Sequence, residues 1–195
     1  METVDDDLSP QQSLHLIETM IAKTKANISE GTVYFLLWGW LTFSAILGQY
    51  FLKVVVEYRH HYIVWLVTIA GVIGSAFYTR KRKRKANART YIGDSMSFLW
   101  TGLAVSFFIL SILFSRLENG WLFCYPFYIL LYGLGTFVSG KILQFKPLVI
   151  GGIINWGLSI ASVFFDFDNQ MLFAAAAILT SYIIPGYLLK NSGTK

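Results

Sequence analysis

Few side chains in this 195-residue sequence could do chemistry, and most of them stand singly in apolar surroundings. Asn155 follows Ile153 and Ile154 and precedes Trp156, while Gln49 lies between Leu47-Gly48 and Tyr50-Phe51. An amide in hydrocarbon needs a partner, so each should bond to a neighbouring helix or line a polar path. Asp94 comes just after a basic stretch. There it can favour a helix N-terminus and pair with Arg89, or stand near an ion path. His60-His61 offers two metal-type ligands where a site needs three or four, with Glu57, Asp166 and Asp168 as helpers that sequence does not place. The plainer reading is a pair of interfacial side chains. No serine has a histidine partner by motif, and no apolar stretch holds two acids, so neither nucleophilic nor paired-carboxylate catalysis is indicated. The expectation is a non-enzymatic protein with no cofactor and no metal.

The densest chemical feature is the run Arg80, Lys81, Arg82, Lys83, Arg84 and Lys85. Nucleic acid is the first thought for such a run, but no folded binding module surrounds it. It separates two apolar stretches, where it sets membrane orientation and can contact anionic lipid.

The elements that must carry these residues follow from composition. Hydrophobic residues make up 55% and charged residues only 14%. A soluble domain carries about 25% charged residues, so an ordinary soluble fold is excluded. A membrane-crossing helix needs about 20 mainly apolar residues. Six stretches qualify: residues 32–52, 61–78, 92–115, 121–143, 147–165 and 170–189. Backbone groups in hydrocarbon must bond within their own segment, which makes these helices. The expected fold is all-α, six transmembrane helices as three hairpins over residues 32–190. Residues 1–31 hold an acidic tail and an amphipathic helix, and residues 191–195 a short tail. Pro126 and Pro185 lie inside the fourth and sixth stretches and are expected to kink them. The single cysteine, Cys124, allows no intrachain disulfide.

Counting Lys and Arg by side fixes the orientation. With the start of the chain in the cytoplasm, thirteen lie inside and only Lys53, Arg59 and Arg116 lie outside. Both ends of the sequence are then cytoplasmic. Glu57, Glu118, Asp166 and Asp168 all fall outside as well. The first apolar run follows an acidic start, so it reads as a retained span and not as a cleaved leader.

Weaker patterns accompany this plan. Trp38-Gly39-Trp40-Leu41, Trp100-Thr101-Gly102-Leu103 and Trp156-Gly157-Leu158 suggest a repeated hairpin. Gly71 with Ser75, Gly102 with Ser106 and Gly135 with Ser139 are small pairs that let helices approach. Tyr and Trp near the segment ends read as interfacial belts, and Trp38, Trp40, Trp100 and Trp156 as packing.

Before the first span, Ser9, Pro10 and Gln12 form a helix start signal. Leu14, Ile17, Ile21 and Ile28 then recur at helical spacing, with Glu18, Lys23 and Lys25 off the stripe. Ser13-Leu14, Leu16-Ile17 and Met20-Ile21, followed by Tyr34-Phe35-Leu36-Leu37-Trp38-Gly39-Trp40 and Leu47-Gly48-Gln49-Tyr50, resemble a group of small, uncharacterised bacterial inner-membrane proteins. The resemblance implies an inner-membrane location and carries no functional residues with it. The expected role is a scaffold, sensor or interaction partner, whose N-terminal helix contacts a cytoplasmic protein, the membrane surface or another copy. The alternative is a small transporter or channel with Asn155, Gln49 and Asp94 near its path.

Overall fold

The computed structural model describes Leu14 and residues 32–83 and 91–192. The N-terminal amphipathic helix lies outside the described residues, Leu14 apart. Every described element is helical. In chain order they are α1 (Thr32–Val55), α2 (Val67–Lys83), α3 (Tyr91–Arg116), α4 (Cys124–Ile142), α5 (Lys146–Ser162), α6 (Phe167–Ile178) and α7 (Ile184–Ser192). A π-turn, Leu179–Ile183, joins α6 to α7.

Four helical stretches are long and apolar enough to cross a membrane: Thr32–Val55, Tyr91–Arg116, Gly120–Ile142 and Phe167–Lys190. The other two are shorter. Helices α2 and α5 have 17 residues each. At 1.5 Å per residue that is about 26 Å, a little less than a ~30 Å hydrocarbon core, and in α2 this length includes the charged residues 80–83. The second stretch differs most from its sequence reading, because its first residues do not join the α-helix. His61–Leu66 form a 3-10 turn, and the α-helix begins at Val67. The reason is tertiary: His61 and Trp65 both bond back to Gln49 of α1, which pins the turn ahead of the helix.

Helices α1 and α2, α3 and α4, and α4 and α5 run antiparallel. Leu41 and Trp38 of α1 lie against Gly71 of α2, and Gly48 meets Val64 in the connection between them. Leu103 and Trp100 of α3 lie against Gly135 of α4 in the same manner. This packing repeats across the first two pairs and not the third. Trp156 of α5 sits over Gly133 of α4 instead of over its own partner. Gly102 faces open space, so the pair Gly102 and Ser106 does not serve helix approach. Trp40 also departs from the packing expected of it: it is exposed, with its Nε1–H donating to Tyr187 Oη of α7 at 3.3 Å.

Neither proline acts as a mid-helix break in a regular helix. Pro126 is in the first turn of α4, where its missing N–H has no partner to lose. Its carbonyl accepts a bond from Ser159 Oγ at 2.8 Å. Pro185 is the second residue after the π-turn, and the wider turn absorbs the donor it lacks. At the α4–α5 connection, Gln144 takes a left-handed φ of 53°. The Phe145 N–H then closes back on the Gly140 carbonyl at 2.8 Å, which ends α4 within one turn.

The core combines aliphatic side chains such as Ile129, Leu148, Met171 and Ile178 with a cluster of aromatic rings. Phe35 of α1, Trp100 of α3, Tyr132 of α4 and Tyr182 of the π-turn meet edge to face, with Phe35–Tyr182 and Tyr132–Tyr182 centroids both 5.4 Å apart. Trp100 and Tyr182 are 5.8 Å apart. These are contact distances, so the rings fill the centre and leave no room for a ligand among them.

Candidate functional site

Polar side chains gather at the end of the bundle where α1 finishes and α4 begins. Gln49, only 4% exposed, is the hub. Its Oε1 accepts from the Trp65 Nε1–H and from Tyr125 Oη, the latter at 2.8 Å. Trp65 can only donate, so this contact fixes which end of the amide is oxygen. The Gln49 Nε2 must then donate to His61 Nδ1, 3.2 Å away. A nitrogen that accepts carries no proton, so His61 is neutral with its hydrogen on Nε2.

A charged layer borders this hub. Lys53, one turn beyond Gln49, forms an ion pair with Asp168 in the first turn of α6. Its ammonium also stands 4.9 Å from the centre of the Phe167 ring, and Phe167 packs on Tyr125 at 5.3 Å. Burial, and then the Lys53 cation, hold the His61 imidazole below its ordinary value, while Asp168 pulls the other way. His61 is in the connection, outside α1 and α2. The assembly thus ties together α1, the 3-10 turn, α4 and α6.

Asn155 is elsewhere. It lies near the middle of α5, is fully buried, and donates from Nδ2 to Ser181 Oγ of the π-turn at 3.0 Å. Close approach of the backbones makes this contact. A Cβ on Gly151 would lie 2.9 Å from Ser181 Cα, and one on Gly133 would lie 3.1 Å from Asn155 Cβ. Among the described residues four buried polar atoms have no partner: Asn155 Oδ1, Ser139 Oγ, Gln170 Oε1 and Tyr182 Oη.

Asp94 is partly buried in the first turn of α3, at the far end of that helix from Gln49. Arg89, its expected ion-pair partner, lies outside the described residues. About 22 residues of α3 separate Asp94 from the Gln49 end, which is roughly 33 Å. The structure therefore does not bring Asn155, Gln49 and Asp94 into one site. Arg80 is exposed on α2, whose backbone continues through Lys81, Arg82 and Lys83; Arg84 and Lys85 lie outside the described residues. Lys141, Lys146 and Lys190 are exposed at the same end of the bundle as Arg80. Among the described residues no group of three His, Cys, Asp or Glu could hold a metal ion.

Sequence reasoning singled out Gln49 but missed Lys53 and Asp168, which are 115 residues apart. It met His61 as one of two interfacial side chains, with half of a metal pair as the alternative. A polar Gln followed one turn later by Lys at a helix end was the one signal present. A groove of about 390 Å3 between α1 and the start of α2 is lined by Trp40, Leu41, Ser44, Ala45, Val64 and Val67, none of them part of these polar groups.

The two buried amides should respond differently to loss. Gln49→Leu leaves the Tyr125 hydroxyl and Trp65 N–H without their acceptor and is expected to cost about 1–3 kcal/mol. Asn155→Leu removes one donor bond together with an unpartnered oxygen, and Ser181 keeps its bond to the Ala177 carbonyl. Its expected change is within about 1 kcal/mol. Denaturation midpoints of the two variants in one detergent check the order.

Compared with protein-family models, with curated proteins and with solved structures, the chain matches none of them.

Proposed function

We propose that the chain is a six-crossing protein of the bacterial inner membrane, arranged as three hairpins with both ends cytoplasmic, that acts as a scaffold or sensor and not as an enzyme. The observation that supports a scaffold over a conduit is the closed middle of the bundle. Asn155 is fully buried, and the rings of Phe35, Trp100, Tyr132 and Tyr182 pack in direct contact. The crossing number rests on the antiparallel neighbours, and on the outer faces of the two short helices. Ile69, Val72, Ile73 and Phe77 of α2 are exposed, as are Ile150, Ile153 and Ile160 of α5. Such faces suit lipid; α5, with 17 residues, sits at the lower limit for crossing, and α2, whose last four residues are Arg80, Lys81, Arg82 and Lys83, reaches it only with residues of the 3-10 turn ahead of it. The partners proposed are the bilayer with its anionic headgroups beside the basic 80–85 run, and a cytoplasmic protein or a second copy met by the amphipathic residues 9–28.

Purified protein in sealed liposomes should leave preset proton and potassium gradients decaying as they do in protein-free vesicles. A protein-dependent flux that Asn155→Leu abolishes and Asn155→Gln partly retains would overturn this reading in favour of the transporter.

A further inference from the structure

The hub around Gln49 has a built-in dependence on one proton. Gln49 cannot turn its amide round without losing the acceptor that Trp65 and Tyr125 share. Its Nε2 therefore always faces His61, and His61 must present a bare nitrogen. A proton on that nitrogen sets two donors against each other at 3.2 Å. It also adds a cation beside Lys53.

We propose that His61 is a proton-sensing latch that holds the 3-10 turn, and with it the start of α2, onto the bundle when neutral and releases it when protonated. The parts that make this a latch are structural. His61 is partly exposed, so protons reach it, whereas Gln49 is buried and cannot move aside into water. The turn His61–Leu66 is anchored through Trp65 on the same amide oxygen, so both anchors share one hub. Beyond it, α2 carries an exposed apolar face, Ile69, Val72 and Ile73, and meets the bundle through α1. Farther along, Leu41 and Trp38 pack on Gly71, and the Trp38 Nε1–H donates to Ser75 Oγ at 3.2 Å, so the release is confined to the turn and the first residues of α2.

The charged and titratable groups facing His61 are few. From α1 there is Lys53, which opposes protonation, and from α6 Asp168, which favours it but is engaged by Lys53. From α4 Tyr125 acts through Gln49 and carries no charge. On its own segment His60 bonds to Tyr62. The direction follows. The unfolded chain takes up a proton near pH 6.5 and the folded one at lower pH. The contact therefore stabilises fully above about pH 6.5 and is lost as pH falls through the folded value.

The test is hydrogen exchange of backbone amides 61–66 in nanodiscs between pH 8 and pH 5, corrected for the intrinsic rate. Both faces of a nanodisc meet the buffer, so the result does not depend on the crossing number or orientation proposed above. Opening should rise about tenfold on acidification, the scale of one lost hydrogen bond. His61→Asn supplies a non-titrating acceptor and should flatten the profile while keeping the turn protected. Lys53→Gln frees Asp168 and should move the midpoint to higher pH. Protection that stays constant from pH 8 to 5, or a transition that persists in His61→Asn, would overturn the latch. So would a midpoint that Lys53→Gln lowers.

Discussion

Gly152→Ala is expected to weaken the bundle by about 1–3 kcal/mol, although alanine is the better helix former by about 1 kcal/mol. The reason is that α5 passes so close to α4 that a Cβ at residue 152 would stand 2.7 Å from the Phe137 backbone nitrogen and 2.8 Å from the Gly133 carbonyl oxygen. Backbone atoms inside a helix cannot rotate away, so the two helices must part. Parting them disturbs Trp156, which lies over Gly133, and loosens Ser159, which bonds to Pro126. Gly157 is the control in the same helix, since a Cβ there meets nothing within 4 Å. Gly157→Ala should be neutral or slightly stabilising. Thermal or denaturant midpoints of both variants in one detergent decide the matter. Equal behaviour of the two would mean that α4 and α5 do not pack as described.

Replacing Arg80, Lys81, Arg82, Lys83, Arg84 and Lys85 by Gln is expected to give a population with mixed orientation. The run supplies six of the thirteen basic residues on the proposed inner side, and its loss leaves seven against three. Orientation follows Lys and Arg close to the helix ends, and several of the remaining ones are far from the second connection. Glu57, Glu118, Asp166 and Asp168 stay on the other side but weigh little in this balance. Labelling of engineered cysteines on the two sides should shift from one-sided to two-sided. A fully one-sided variant would show that the run is not the main determinant of orientation.

The helical class and the four long apolar helices were legible because a shortage of charge and long apolar runs leave few alternatives. The outcome for single residues depended on whether the deciding partner was local. An amide deep in an apolar run points to a bond with a neighbouring helix, and Asn155 makes one to Ser181. The packing of Gly71 and Gly135 under Trp and Leu was visible as small residues at helical spacing. Gly102 carries the same spacing and faces outward, because which side of a helix meets a neighbour is set by the other helices. The hub at Gln49 was only half readable. Its charged border joins Lys53 to Asp168 across 115 residues of sequence, and the turn at His61–Leu66 exists because side chains of that turn bond to α1. Pro185 was read as a kink without the π-turn that accommodates it, since the choice between a kink and a wider turn depends on how α6 and α7 pack on α5.

The six-crossing plan is tested most directly by cysteine accessibility across the two short helices. In chains with Cys124→Ala, single cysteines replace Arg59, Glu118, Phe164 or Lys146, all exposed and all in or beside connections. A membrane-impermeant maleimide added to intact spheroplasts should label positions 59, 118 and 164 and leave 146 unlabelled until the membrane is opened. Positions 146 and 164 differ only by α5, so their contrast reports whether that 17-residue helix crosses. Labelling of 146 and 164 from the same side would contradict the account.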